Sequence, residues 1–311
     1  MAKARRLKAT EIQSPTVSEL IRAGAARFDE AGLVFGHGTD NAVDEAAALV
    51  FHVLQLDHDR AHEVYGQRPE PHRAAQVFEI FRQRIEQRIP AAYLMKRMWF
   101  AGMEFEVDER VIVPRSPFAE LILSEFMPWV DPTGLHRILE LGTGSGCIAI
   151  ACAKLLGDVH VDAVDVSAEA LAVARANVLK HGVDDRVTLY EGDLYEPIER
   201  RRYDVIVANP PYVSEQEMAG LPAEYQHEPE VALRAGPDGL DIVRRILAGA
   251  AAHLESHGVL FVEVGNSDER LQKAVPELPF IWLEFESGGG GVFMLTRRDL
   301  DRHLGTLRQL G

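Results

Sequence analysis

The chain is poor in cysteine and in positive charge. Its 311 residues include only two cysteines, Cys147 and Cys152. Their spacing on one predicted helix turns the side chains to different faces, so they fit neither a disulfide nor a metal site. Lys and Arg number 33 against 48 Asp and Glu, a formal net charge of -15. Because proteins that grip a long nucleic acid usually show a basic surface, this balance disfavours a stable nucleic-acid partner.

Long apolar runs are missing as well. No stretch approaches the length of a membrane span, and residues 1–7 lack the apolar core of a signal peptide. The sequence therefore predicts a cytoplasmic protein with no membrane partner. The apolar fraction of 47% is typical of a folded protein, and 311 residues exceed one typical core, so two domains are expected.

The first third of the chain shows helical periodicity. Apolar residues over 43–54 follow helical spacing after Asp40, a residue suited to begin a helix. A second stripe runs over 78–89 and is stopped by Pro90. These patterns predict a helical domain over residues 1–98.

Two short patterns have a simple alternative explanation. His58 and His62 stand at the spacing of a zinc-binding helix, but Asp59 replaces the glutamate of the H-E-x-x-H motif, which favours surface or packed histidines and no metal. The arginine runs 200–202 and 297–298 offer a local basic patch, although such runs are usually solvated faces.

Beyond residue 98 the periodicity changes. Alternating apolar residues over 99–113 predict a hairpin that links two domains. From residue 114 to 311, strand-like and helix-like segments alternate, which indicates a largely parallel sheet with crossover helices. The runs 281–285 and 292–296 are close enough to pair antiparallel. The predicted fold class is α/β, a seven-stranded Rossmann-like sheet preceded by the helical domain and the hairpin.

A glycine-rich loop follows the first strand of this sheet. Glycines there let the backbone approach a ligand at the carboxyl edge, where open sheets bind ligands. The spacing is G-x-G-x-G, whereas in the G-x-G-x-x-G of pyrophosphate binders the third glycine would fall on Cys147, which disfavours NAD. The candidate binding residues here are Glu140, Gly142, Thr143, Gly144, Ser145 and Gly146.

Two carboxylates follow at the same edge. Asp165 ends the second strand, where a carboxylate can accept from both ribose hydroxyls; its alternative role is to cap the next helix, a role that Ser167 also fits. After the third strand, Asp193 precedes Leu194 and can accept from an adenine amino group. A bound adenosine without a pyrophosphate fits the loop and both acids.

The motif Asn209-Pro210-Pro211-Tyr212 follows the apolar run 205–208. The side-chain carbonyl of Asn209 and the main-chain carbonyl of Pro210 can hold the two N–H bonds of a primary amide or an exocyclic amine and aim its nitrogen at an electrophile. The Tyr212 ring can pack against the flat group. The alternative is a plain turn after a strand, where Asn and Pro are common. The motif predicts N-methyl transfer.

These features occur in the order expected for S-adenosylmethionine on a methyltransferase sheet. Together with the segments 113–115 (Val-Pro-Arg) and 227–229 (His-Glu-Pro), they make the chain resemble the protein-glutamine N5-methyltransferases over nearly its whole length. The resemblance implies a class I methyltransferase fold, S-adenosylmethionine as cofactor and S-adenosylhomocysteine as product. It implies that Asn209, Pro210 and Tyr212 are catalytic.

The resemblance also implies a role for each candidate residue. The loop, Asp165, Asp193, Leu194 and Asn209 hold the cofactor, and the substrate amide is bound by Asn209, Pro210, Pro211 and Tyr212. Glu228 and Glu263 are candidate acceptors for the proton released after transfer.

Within the family, three segments favour the ribosomal branch: 35–42, 221–225 and 282–285. Ser116 and Leu194 stand where the release-factor branch usually has a proline and an aromatic residue. The expected partner is a basic ribosomal protein, the third of the large subunit, recognised by the helical domain and attracted by the acidic charge. Release factors are the sister alternative. Adenine or cytosine N-methylation, which requires base extrusion, and a binding module without turnover are more distant.

Overall fold

The structure, a computed structural model, describes residues 14–57, 60–286 and 288–310. The chain divides into two compact units, Met1–Met95 and Lys96–Gly311. His58 and Asp59, part of the zinc-like spacing, lie outside the described residues. Among the residues that are described, no group of His, Cys, Asp and Glu could hold a metal ion, and no helix is long and apolar enough to cross a membrane.

The first unit is helical. Helix α2 begins after Asn41 and not after Asp40, because the Asn41 side-chain oxygen accepts from the amides of Val43 and Asp44. The helix formed by the second apolar stripe ends at Gln87, before the end of that stripe, because Arg88 takes a left-handed conformation with φ of 59°. The helices are α1 (Val17–Glu30), α2 (Ala42–Leu54), α3 (Ala61–Val64), α4 (Pro71–Gln87) and α5 (Ala91–Met95).

A buried ion pair joins α2 to α4 within this unit. Arg84 Nε lies 2.7 Å from Glu45 Oε1, and both side chains are 1% exposed. Arg84 Nη2 also donates to the carbonyl oxygen of Val34 at 3.0 Å. The pair lies in an otherwise apolar core in which Phe28 and Phe81 meet edge to face.

The second unit opens with an antiparallel hairpin, β1 (Arg97–Phe100) and β2 (Met103–Glu106). Its two turn residues, Ala101 and Gly102, have φ of 47° and 77°, as tight hairpin turns require. The hairpin is shorter than the expected 99–113 and starts two residues earlier. Val107, Val111 and Val113 are buried without belonging to a strand, so their apolar pattern marks a packed loop. The boundary expected after residue 98 falls inside β1.

A seven-stranded sheet in the order β5-β4-β3-β6-β7-β9-β8 forms the rest of this unit, which confirms the predicted fold class. Strands β3 to β7 are parallel, and β9 pairs antiparallel with both β7 and β8. The run 281–285 was expected to be a longer strand, but the strand itself covers only its first two residues, and the amide of Leu283 adds one bond to the carbonyl oxygen of Val292. The strands are β3 (Arg137–Leu141), β4 (His160–Asp165), β5 (Val187–Glu191), β6 (Tyr203–Ala208), β7 (Leu254–Glu263), β8 (Ile281–Trp282) and β9 (Val292–Thr296).

Helices cover both faces of the sheet, which is why all six residues of β6 are buried. One apolar cluster holds Ile138 of the sheet with Ile150, and the other holds Leu139 with Ile246. The helices are α6 (Phe118–Leu123), α7 (Cys147–Leu155), α8 (Ala168–His181), α9 (Glu215–Met218), α10 (Asp241–His253), α11 (Asp268–Ala274), α12 (Arg297–Arg302) and α13 (Leu304–Leu307).

We expect Arg84→Met to lower the free energy of unfolding of the helical unit by about 3–5 kcal/mol, because it removes the guanidinium that pairs with the buried Glu45 carboxylate. The measurement is urea denaturation followed by circular dichroism. Arg82→Met on the same helix is the matched control: Arg82 is 50% exposed and its ion pairs are at the surface, so a change below about 1 kcal/mol is expected. Equal losses in the two variants would contradict the role of the buried pair.

Candidate active site

The glycine loop, Asp165 and the Asn-Pro-Pro-Tyr motif meet at the carboxyl edge of the parallel strands. Strand β3 lies between β4 and β6, so the strand order reverses at this point. Open α/β sheets bind ligands at such a switch point. A cleft lies there, and Gly142, Asp165 and Asn209 are among the residues that line it.

The glycine loop is shaped by its backbone. Gly142, Gly144 and Gly146 have φ of 75°, 56° and 80°, in the left-handed region that side chains disfavour. The amide of Gly142 donates to the carbonyl oxygen of Val164 at 2.9 Å, which ties the loop to the end of β4. At Gly146 an added Cβ would lie 3.3 Å from Ala174 Cβ. Glycine is therefore required here both by conformation and by the close approach of α8.

Only part of the predicted loop lines the cleft. Gly142 and Gly144 do so, whereas Glu140 is 1% exposed and accepts from Thr143 Oγ1 at 2.6 Å and from the amide of Ala149 at 3.0 Å. Burial raises the pKa of Glu140 to about 8. Thr143 and Ser145 are also buried, each 3% exposed, and with Gly146 they stand behind the cleft wall. The structure thus places these four residues in support of the loop.

Asp165 lines the cleft and holds its walls together. Its Oδ2 accepts from the amide of Gly144 at 2.8 Å, and its Oδ1 accepts from the amide of Ser167 at 2.9 Å. Burial raises the pKa of this carboxyl. Ser167 caps α8 through the amide of Ala170. The capping role open to Asp165 therefore falls to Ser167, and Asp165 faces the cleft with lone pairs to spare.

Asp193 and Leu194 line the cleft at the end of β5. Asp193 Oδ2 lies 2.8 Å from Arg245 Nη2, and the two side chains are 41% and 42% exposed. Arg245 belongs to α10 and carried no sequence signal, because it lies 52 residues further along the chain. This exposed ion pair orients a carboxylate that keeps an oxygen for a ligand.

The Asn-Pro-Pro-Tyr motif divides between the cleft and the wall behind it. Asn209, Pro210 and Pro211 line the cleft. Within the described part of the chain, the Asn209 side-chain amide makes no hydrogen bond, so it is available to a ligand. Tyr212 instead packs on Gly265, where an added Cβ would lie 2.7 Å from the ring Cε2.

The segments 113–115 and 227–229 are joined by a buried ion pair. Glu228, whose side chain is 0% exposed, accepts from the amide of Val113 at 2.9 Å and from Arg115 Nη2 at 2.7 Å. Burial opposes the charge of Arg115, but the bond to Glu228 prevails and raises the pKa of the guanidinium. The next residue, Pro229, lines the cleft. Glu228, one of the two candidate proton acceptors, is thus engaged in a structural pair.

Glu263, the other candidate, ends β7 beside the motif. It is 6% exposed and accepts from Ser116 Oγ at 2.5 Å and from the Tyr212 hydroxyl at 3.4 Å. Burial raises its pKa to about 7. Sequence reasoning assigned no role to Ser116 in the site, since its partner is 147 residues away.

The arginine runs contribute to one surface recess at the opposite edge of the sheet. Arg202, which precedes β6, meets Arg297 and Arg298 of α12 there, together with the acidic Glu255. Arg201 is turned away and pairs with Asp162 at 2.9 Å. The patch is therefore of mixed charge. It lies at the amino-terminal ends of β6 and β7, whereas the cleft lies at the carboxyl ends of the strands.

The chain is similar to known methyltransferases. The family described as "Methyltransferase small domain" matches residues 120–224. The chain is 47% identical over 299 residues to the ribosomal protein uL3 glutamine methyltransferase of Xanthomonas campestris pv. campestris, covering 95% of this chain and 96% of that protein. It is also 47% identical over 293 residues to the Burkholderia pseudomallei protein of the same name, covering 92% and 95%.

Among solved structures, the fold is shared with the hMettl16 catalytic domain in complex with MAT2A 3'UTR hairpin 1. That match has a TM-score of 0.50 and 17% identity, and it covers 80% of this chain and 89% of the other. At this identity the likeness shows the fold alone.

Proposed function

The chain belongs to the ribosomal protein uL3 glutamine methyltransferase family, and on that basis we propose that it transfers a methyl group from S-adenosylmethionine to the side-chain amide nitrogen, N5, of a glutamine in uL3. The observation that carries the proposal is the near full-length identity of 47% to relatives of that name, joined to a cleft that ends in Asn209 and Pro210. A ribosomal substrate supports a cytoplasmic location for this activity.

The residues of the cleft fit the proposed cofactor. Asp165 faces the cleft where a ribose would lie and can accept from its hydroxyls. Asp193 offers an acceptor for an adenine amino group, and the apolar side chains of Leu194 and Ile242 provide walls for a flat base. When bound, S-adenosylmethionine supplies a methyl carbon made electrophilic by its sulfonium.

The protein's own contribution is to orient a poor nucleophile. An amide nitrogen held by the Asn209 side-chain oxygen and the Pro210 carbonyl oxygen has both N–H bonds engaged, so its remaining face is presented to the methyl carbon. Pro210 is buried and Pro211 follows it, which keeps this turn stiff. Attack leaves a cationic N-methyl amide, and its proton is then acidic enough to leave. No strong base is required before transfer.

The charge of the chain supports a basic protein partner. A net charge of -15 favours encounter with a basic ribosomal protein and opposes binding to a nucleic-acid backbone. The helical unit of residues 1–95 is the segment that we assign to recognition of the protein substrate, since the cleft and its supports all lie in the second unit.

The proposed activity predicts that labelled methyl groups enter free uL3 isolated from a strain without this enzyme, as N5-methylglutamine. Parallel reactions contain a peptide release factor and ribosomal RNA. Label on the release factor with none on uL3 would assign the chain to the sister branch. Label on RNA would contradict a protein substrate.

For the cofactor site, Asp165→Ala is expected to weaken S-adenosylmethionine binding by about tenfold or more, because a hydrogen bond to a charged group typically contributes about 1.5–3 kcal/mol. Gly144→Val should weaken it too, since a β-branched residue resists a φ of 56°. Calorimetry measures both. Asp185→Ala, at an aspartate whose side chain is 79% exposed, is the control and should bind normally. Unchanged affinity in both folded variants would exclude the site.

For the chemistry, Asn209→Ala is expected to lower single-turnover methyl transfer by about a hundredfold or more, given the cost of misplacing reacting groups. Cofactor affinity should change far less, because the loss falls on the transition state. Asn209→Asp keeps an acceptor but adds a negative charge beside the sulfonium, so it should retain a little activity. Asn266→Ala, at an exposed asparagine, is the control. A near-normal rate in Asn209→Ala would mean that Asn209 is only a turn residue.

A further inference from the structure

Tyr212 is held in place by three residues of the segment 263–267, at and just after the end of β7. Its ring lies on Gly265, which follows β7 and has φ of 49°. Its carbonyl oxygen accepts from Ser267 Oγ at 3.2 Å. Its hydroxyl reaches Glu263 Oε1 at 3.4 Å. The ring is therefore fixed on one face and at its backbone, and within the described residues its hydroxyl bonds to the Glu263 carboxylate.

The Glu263 carboxylate is buried and held in place by a second hydroxyl. Glu263 is 6% exposed, and its second oxygen accepts from Ser116 Oγ at 2.5 Å. Ser116 is itself fixed, because its Oγ also accepts from the amide of Phe118 at 3.2 Å. The charged groups that face Glu263 and Tyr212 are Arg115, which favours the ionised carboxyl, and Glu228, which already holds Arg115.

We propose that Glu263 is a positioning residue for the methyl transfer: its carboxylate, held by Ser116, anchors the Tyr212 hydroxyl and so fixes the end of the turn whose Asn209 and Pro210 hold the substrate amide. This inference rests on the proposed function. Glu263 itself lies behind the cleft wall and does not line the cleft.

The anchor makes the reaction depend on pH. The ionised carboxyl accepts from both hydroxyls, whereas the protonated form has lost one acceptor position. Burial raises the pKa of Glu263 to about 7, and the Ser116 hydrogen bond and the Arg115 charge act in the opposite direction. The ionised fraction falls as pH drops below that value, so turnover should fall with it.

The test compares kcat and KM of the full-length enzyme across neutral pH for the wild type, four single variants and one double variant. Wild-type kcat should rise with pH to a plateau, with a midpoint near 7. Glu263→Gln should lower the plateau by about tenfold, the value of one charge-assisted hydrogen bond, and remove the midpoint. Its KM for S-adenosylmethionine should stay unchanged. Glu269→Gln, at a carboxylate that is 81% exposed, is the matched control and should behave as wild type.

Two further variants separate anchoring from a general effect on folding. Ser116→Ala keeps Glu263 but removes a bond that favours its charge, so the midpoint should move to higher pH. Tyr212→Phe should lower kcat, and adding it to Glu263→Gln should cost little more, because both changes break the same bond. A Glu263→Gln enzyme with the wild-type plateau and midpoint would overturn the proposal, as would fully additive losses in the double variant.

A readout without turnover separates this inference from the proposed function. Carboxyl carbon NMR of the enzyme with labelled glutamate, assigned by loss of the signal in Glu263→Gln, reports the titration of Glu263 directly. A midpoint near 7 that rises in Ser116→Ala supports the anchor even where uL3 proves not to be the substrate. Titration at the ordinary pKa of a glutamate would overturn the anchor, whatever protein is methylated.

Discussion

Because β4 pairs on one side of β3 and β6 on the other, the connections that leave these strands run in opposite directions. The carboxyl ends of β3 and β6 are left uncovered between them. The glycine loop and the Asn-Pro-Pro-Tyr motif occupy those two ends, so their meeting in one cleft is a consequence of strand order. Asp165 then ties the loop to the neighbouring strand through the amide of Gly144.

Several carboxyl groups of this fold are buried, which is unfavourable for their charged form. Burial raises the pKa of Glu140, Asp165 and Glu263, because taking a charge out of water is unfavourable. Each is satisfied by protein donors: Glu140 by Thr143, Asp165 by the amide of Ser167, and Glu263 by Ser116. Such bonds fix loops that carry little regular structure. The site is thus positioned before any ligand binds, which is what a reaction that depends on orientation needs.

The pattern of correct and incorrect predictions has a physical origin. Gly142, Gly144, Asp165 and Asn209 were predicted because local chemistry and strand position place them at the edge of the sheet. Glu140 lies next to them in sequence but is buried beneath the loop, where it accepts from the amide of Ala149 in α7. The hairpin was drawn too long because buried loop residues such as Val111 carry the same apolar pattern as strand residues. Asn41, and not the expected Asp40, caps α2. The apolar periodicity of the sequence does not resolve a difference of one residue at a helix end.

The sequence by itself determined the α/β class, the order of strands and helices, and the chemistry of the motifs, because periodicity and turn residues act over a few neighbouring positions. Only the tertiary structure decided which distant groups meet. Arg245 reaches Asp193 from α10, Arg115 pairs with Glu228, and Ser116 meets Glu263 at the end of β7. These contacts join residues far apart in the chain, and they form only when the packing of strands and helices has fixed where each segment runs. The carboxylates of Glu228 and Glu263 are buried, and leaving either without a partner would be costly.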